Sequence, residues 1–185
     1  FKESYIGDIT NSEMARAFGA DLILLNGVDL LNPVISAIDP GVPNFVAELH
    51  RLVGRPIGVN LEPVDASAQM NEERQELVTG RQLNEASLQA AQALGVDFIC
   101  LTGNPGTGVT NKTIASAIRL TKQHFSGLVI AGKMHGAGVD EPVADLEAVS
   151  QFIEAGADII LAPAVGSVPG FDEADLKAIV HRAHE

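Results

Sequence analysis

Apolar and polar positions along this chain fall into short alternating blocks. Apolar runs of strand length stand at 21–25, 56–61, 97–102, 128–132 and 158–163, and the stretches between them carry apolar residues at helical spacing, at 11–18, 43–53, 84–94, 111–125, 143–155 and 173–184. Three strands open on one phrase: Gly19-Ala-Asp-Leu-Ile-Leu-Leu, Gly95-Val-Asp-Phe-Ile-Cys-Leu and Gly156-Ala-Asp-Ile-Ile-Leu-Ala. The glycine supplies the left-handed residue that ends a helix, the next two residues make the turn, and the apolar run suits a strand buried on both faces. Helix starts are signalled by Thr10 or Asn11, Asn84, Thr110 or Asn111, and Asp172.

Strict strand–helix alternation predicts right-handed crossovers and a parallel sheet. A doubly wound sheet would alternate in the same way, but the Gly-x-Gly-x-x-Gly turn expected after its first strand does not follow Leu25. The pattern therefore predicts a (β/α)8 TIM barrel, with these residues forming five strand–helix units, the second through sixth of eight. A closed barrel of about 250 residues calls for a strand before Phe1 and two more after Glu185. Residues 1–185 read as one partial barrel domain. The polar stretch at 63–83 is too long for an ordinary loop and is expected to form a partly helical lid-like insertion over the mouth.

Composition narrows the classes of partner. Of 185 residues, 46% are hydrophobic and 19% charged, enough for one sizeable core, and no apolar run approaches the roughly 20 residues of a membrane helix. A formal charge of −12 with no basic run repels nucleic acid and anionic lipid, so neither is expected as a partner. The lone Cys100 lies in an apolar run and reads as core, consistent with a reducing, cytoplasmic setting. The opening Phe1-Lys-Glu-Ser-Tyr-Ile-Gly has no basic segment leading into an apolar one, as a secretory leader would. Apolar helix faces lead us to expect a homo-oligomer.

Barrel chemistry sits at the C-terminal ends of the strands, where residues two apart share a direction. That parity selects Asn26, then Asn60 and Glu62, then Thr102 and Asn104, then Lys133 and His135. Lys133 is the sharpest candidate. Beside apolar groups a lysine can act as an amine nucleophile or stay charged and hold an anion, with Glu62 as a candidate partner. His135 has the chemistry for proton transfer near neutral pH. The bland alternatives are a structural Lys133–Glu62 ion pair and a histidine that merely precedes a flexible Gly136-Ala-Gly138 turn.

The loop Thr102-Gly-Asn-Pro-Gly-Thr-Gly-Val-Thr-Asn111 joins a strand to a helix start, and its glycines would let backbone N–H groups converge on a phosphate or carboxylate. Asn104, Gly106, Thr107 and Gly108 are its candidate ligands, with a tight turn as the plain alternative. Ser167, in the small-residue loop 163–170, is a further candidate for anion binding. No cofactor motif occurs. Glu62, Asp65 and His135 could accept a divalent metal such as Mg²⁺, but no pair of them has the spacing of a recognised site.

Gly7-Asp-Ile-Thr-Asn-Ser-Glu, Phe18-Gly-Ala-Asp-Leu-Ile-Leu-Leu-Asn26, Thr102-Gly-Asn-Pro-Gly-Thr-Gly108, Gly132-Lys-Met-His135 and Ala164-Val-Gly-Ser-Val-Pro-Gly-Phe171 together resemble a family of poorly characterised bacterial barrel proteins. Its members are often labelled haloacid dehalogenase-like hydrolases and sometimes likened to phosphoenolpyruvate phosphonomutases. The resemblance covers essentially the whole chain and implies a barrel with strands on either side of it. The Asp-x-Asp-x-Thr/Val nucleophile loop of haloacid dehalogenases does not occur, nor does a strand-end aspartate cluster for Mg²⁺. The resemblance therefore implies a fold and a site location. The leading expectation is an enzyme acting on a small phosphorylated or carboxylated metabolite by lyase or isomerase chemistry, through proton or imine steps at Lys133, Glu62 and His135. The alternatives are a metal-assisted hydrolase and a non-catalytic barrel that binds a small anion.

Overall fold

The computed structural model describes residues 7–185, so the opening segment read above for a leader lies, but for Gly7, outside the described residues. In chain order the elements are α1 (Asn11–Ala17), β1 (Ile23–Leu25), α2 (Phe45–Val53), β2 (Ile57–Asn60), α3 (Glu85–Leu94), β3 (Phe98–Leu101), α4 (Asn111–His124), β4 (Leu128–Gly132), α5 (Leu146–Ala155), β5 (Ile159–Leu161) and α6 (Glu173–Ala183). Every strand pairing described below is parallel. Parallel strands alternating with helices make this a partial (β/α) barrel, as the hydrophobic pattern predicts.

Local chemistry explains the boundaries. Thr10 caps α1 in a reciprocal box, taking the Glu13 N–H on its hydroxyl while the Glu13 carboxylate takes the Thr10 N–H. Asn84 and Asp172 cap α3 and α6 in the same way. The pattern placed the start of α5 at 143, but the helix begins at Leu146, because Asp145 supplies the capping carboxylate to the Ala148 N–H at 2.6 Å. Asn44 likewise sets the start of α2, two residues later than expected. The glycines of the repeated phrase are left-handed, as predicted, with φ of 92° at Gly19, 74° at Gly95 and 104° at Gly156.

The chain divides into two compact units: Phe1–Leu61 with Val78–Cys100 and His124–Gly127, and Glu62–Leu77 with Leu101–Gln123 and Leu128–Glu185. In the first, β1, β2 and β3 pair side by side, with Ile23 opposite Ile57 and Gly58 opposite Phe98. Gly58 is required by packing: a Cβ there would lie 2.1 Å from the Phe98 ring. β2 and β3 are buried throughout, and burial pushes the Cys100 thiol up to about 12, an unreactive core residue. In the second unit β4 pairs with β5, and Val149, Phe171 and Ile179 pack with Ile153, Ile160 and Leu176 into a core between the sheet and α5 and α6. Among the described residues no helix is long and apolar enough to cross a membrane.

The aspartate of the repeated phrase does more than turn the chain. Asp97 accepts the Ile57 N–H at 2.7 Å and returns its own N–H to the Ile57 carbonyl at 2.9 Å, latching the start of β2. Asp158 repeats the device at the start of β4, taking the Val129 N–H at 2.8 Å and donating back at 2.9 Å. A base from the preceding turns of helix completes each latch: His50 lies 2.6 Å from Asp97, and Lys122 lies 2.9 Å from Asp158.

The 63–83 segment holds a single 3-10 turn, Thr79–Arg81, where a partly helical lid was expected. Its residues up to Leu77 belong to the second unit, where they are held in irregular conformation by backbone bonds. Asp65, Asn71 and Gln75 donate their N–H groups to the carbonyls of Gly108, Gly138 and Gly106. A sequence this polar has no apolar stripe with which to dock a helix, and pairing its backbone to neighbouring loops satisfies it instead.

Candidate active site

The second unit brings Glu62, Asn104, Lys133 and His135 into one electrostatic neighbourhood. Glu62 follows β2 directly and is 1% exposed. Its two oxygens accept from Asn104, Oε2 from the backbone N–H at 2.8 Å and Oε1 from the side-chain amide at 2.7 Å. Lys133, also 1% exposed, follows Gly132 at the end of β4. Gly132 has φ 151°, and a Cβ on it would lie 1.9 Å from the Leu161 carbonyl oxygen, so only glycine lets β4 close on β5 here and deliver Lys133 into the interior.

The carboxylate found on Lys133 is Glu141, at 2.8 Å between Nζ and Oε1. Neither spacing nor parity singles out Glu141, eight residues further on in an irregular loop. The same oxygen accepts the Asn111 N–H at 2.6 Å, so Glu141 also satisfies a free amide at the start of α4. Thr110 and Thr113 close that start reciprocally, the backbone N–H of each donating to the hydroxyl oxygen of the other.

His135 is half-buried. Its Nδ1 accepts the Ala137 N–H at 3.1 Å, which assigns the ring proton to Nε2. Burial first, then the charge of Lys133, pull its pKa below the usual histidine value, against the opposing pull of Glu62 and Glu72. It is therefore a neutral imidazole at neutral pH, with a donor at Nε2. Ala137 pays for this arrangement with a left-handed backbone, φ 55°, and is itself buried.

The loop after β3 is stitched to its neighbours. Asn104 donates its N–H to Glu62, Thr107 to the Asn104 carbonyl and Gly108 to the Ala137 carbonyl. Three of the amides expected to face an anion are thus engaged within the protein. The glycines here serve close approach. A Cβ on Gly108 would meet Arg74 Nη1 at 2.3 Å, one on Gly106 would meet Gln75 Cγ at 2.9 Å, and one on Gly103 would meet the Cβ of Val109 at 2.8 Å. Thr107 is buried and donates its hydroxyl to the Asn104 carbonyl at 2.8 Å, while Thr102 is half-buried.

Asn26 and Asn60, in the first unit, join each other through Asn60 Nδ2 and Asn26 Oδ1 at 3.1 Å. Ser167 is exposed and turns back on its own loop, its hydroxyl donating to the Ala164 carbonyl at 2.6 Å. Among the described residues no three His, Cys, Asp or Glu side chains are grouped to hold a metal ion.

Fold and site together define a barrel-type chain whose strand-end loops gather a buried carboxylate, a buried ammonium and a neutral imidazole. The chain belongs to the family described as a domain of unknown function (DUF7916), which matches it over residues 1–185. That description carries neither a haloacid dehalogenase nor a phosphonomutase name, so the family resemblance narrows to a barrel fold. No curated protein matches the chain.

Solved structures share the fold at low identity. Thiamine phosphate pyrophosphorylase from Pyrococcus furiosus is 12% identical with a TM-score of 0.53, the match covering 94% of this chain and 64% of that one. The 3-dehydroquinate dehydratase of Geobacillus kaustophilus is 13% identical with a TM-score of 0.50, over 94% and 56% of the two chains. The BexX/CysO complex of Amycolatopsis orientalis gives 16% identity and 0.50, over 92% and 57%. The chain thus spans less than two thirds of the length of each.

Proposed function

We propose that this chain carries the proton-transfer centre of a barrel enzyme acting on a small carboxylated or phosphorylated metabolite, of lyase or isomerase type. The observation that carries this reading is a buried lysine whose charge reaches a neutral His135, with the ring proton on Nε2. A carbon acid next to a carbonyl needs a positive or hydrogen-bonding group at the oxygen where charge develops and a group nearby to move the proton. Lys133 supplies the first and the neutral imidazole of His135 the second, taking the proton at Nδ1 in exchange for its bond to the Ala137 N–H and becoming an imidazolium. Held against Glu141, the lysine nitrogen is an ammonium, the form that stabilises charge, whereas an imine needs the free amine; the geometry favours proton chemistry over imine chemistry for this reason. Glu62, with both oxygens engaged by Asn104, acts as a positioning group for the loop and the local field. The likeness to barrel structures supports a site at strand ends, where barrels place their chemistry.

The test is hydrogen–deuterium exchange at carbon, followed by proton NMR in heavy water, over a panel of small 2-oxo acids and phosphorylated ketones. The wild-type chain is expected to exchange at least one of them, and His135→Ala and Lys133→Met to lose roughly 100-fold or more of that rate. Saturable binding with no exchange for any member would make this a non-catalytic anion-binding barrel. A borohydride-trapped adduct on Lys133 would restore the imine version.

A further inference from the structure

Lys133 has three N–H donors and, among the described residues, directs one of them to a protein acceptor, Glu141 Oε1. Glu141 is the more accessible of the two, 25% exposed against 1%. Its Oε1 is shared between the Lys133 ammonium and the Asn111 N–H, whereas its Oε2 takes no hydrogen bond from the described residues. Beside Glu141 lies a cleft of about 480 Å³, walled by Gln69, Met70, Asn71, Thr110 and Asp140. Its polar walls could receive a carboxylate that leaves Lys133.

We infer that Glu141 is a specificity-determining residue, an internal counter-ion that holds the Lys133 charge until a ligand carboxylate or phosphate takes its place and Glu141 turns into the cleft. The inference rests on the reading of Lys133 as the charge-stabilising group, and it names what that group selects. A buried ammonium cannot be left without an anionic partner except at a cost of several kcal/mol. A neutral ligand would have to separate the pair and leave both charges uncompensated. A ligand with a full negative charge of its own exchanges one ion pair for another. Ligands are therefore sorted by charge at this nitrogen, and neutral carbonyl compounds are rejected.

The Asn111 amide reports the exchange, because its hydrogen bond to Glu141 breaks when Glu141 leaves. Isotope-labelled protein is titrated with inorganic phosphate and with oxalate, with glycerol as the neutral control. We expect both anions to bind, the Asn111 amide resonance to move at saturation, and glycerol to leave it in place. Glu141→Gln, which removes the competing charge and keeps an acceptor for both donors, is expected to bind phosphate about tenfold tighter, while Lys133→Met loses binding. Saturable anion binding with the Asn111 amide unmoved would reduce Glu141 to a structural role and leave the proposed function standing. Should Glu141→Gln not fold, that wild-type measurement decides alone. Absence of anion binding to both the wild type and Glu141→Gln would overturn this inference and the anionic-substrate reading together.

Discussion

Asn104 grips both oxygens of Glu62, one with its backbone N–H and one with its side-chain amide, so the position of the loop after β3 and the orientation of a buried carboxylate are a single quantity. Asn104→Ala removes one of these bonds from a group that cannot turn to water. The expected loss is about 1–3 kcal/mol, measured as a lower urea midpoint at unchanged slope. Asn104→Asp sets a second carboxylate against the first and is expected to cost more. If the two variants destabilise equally, the bond matters for shape and the charge of Glu62 does not.

His135 makes a pH prediction with a definite sign. Its folded pKa is lowered, by burial first and then by Lys133, so the unfolded chain takes up the proton at a higher pH than the folded one. Its contribution is therefore complete above the unfolded value near 6.5, declines as pH falls below that, and stops changing once pH is below the folded value. Asp65 and Asp172 act in a different window. Hydrogen bonds from Ser67 lower the first, and backbone N–H groups of Asp175 and Ala174 lower the second, so their contributions fade only as pH drops below about 4. Denaturation curves between pH 5 and pH 7 should thus flatten in His135→Gln, as pairs of wild-type and variant midpoints would show.

Much of this was readable from residue order because it depends on neighbours in sequence. Gly95 and Gly156 end helices by a local backbone requirement, and Asn84 and Asp172 start them by bonds spanning three residues. Parity along β4 makes Lys133 and His135 candidates for the same reason, since side chains two apart share a direction. The partner of Lys133 was not readable. Glu141 reaches it through a loop bent at left-handed Ala137 and Gly138, and no periodicity survives such a bend. The glycines of the loop after β3 suit a cradle for an anion in sequence; at Gly106 and Gly108 they also make room for Gln75 and Arg74, a demand set by a segment about 30 residues away. A glycine in the sequence announces a close approach without saying what approaches.

The aspartate latches offer a test of the fold that does not involve the site. Asp97→Ala would leave the Ile57 N–H at the start of a fully buried strand without its acceptor, and Asp158→Ala would do the same to Val129. Each should cost roughly 1–3 kcal/mol of unfolding free energy. The accompanying bases tell how much of that is charge. His50 and Lys122 are both more than one third exposed, so solvent screens their pairs and His50→Gln or Lys122→Gln should move stability by less than about 1 kcal/mol. A base substitution as damaging as loss of the aspartate would show that the ion pair, and not the backbone bond, holds the strand.

The Lys133–Glu141 pair should be asymmetric in a double-mutant cycle. Lys133→Met removes the buried charge and replaces it with an apolar chain of similar length, leaving behind a carboxylate that is partly exposed and can hydrate. Glu141→Gln leaves the ammonium, 1% exposed, with only a neutral amide oxygen for a partner. The second change is therefore expected to destabilise more than the first, although it alters fewer atoms, because the stranded charge is the one without access to water. With both changes made, no charge is stranded, and the cost should fall short of the sum of the two by about 1–3 kcal/mol. Chemical denaturation of the four proteins reads this directly. If the costs simply add, the 2.8 Å contact carries no coupling, and Lys133 owes its position to packing around Gly132 rather than to Glu141.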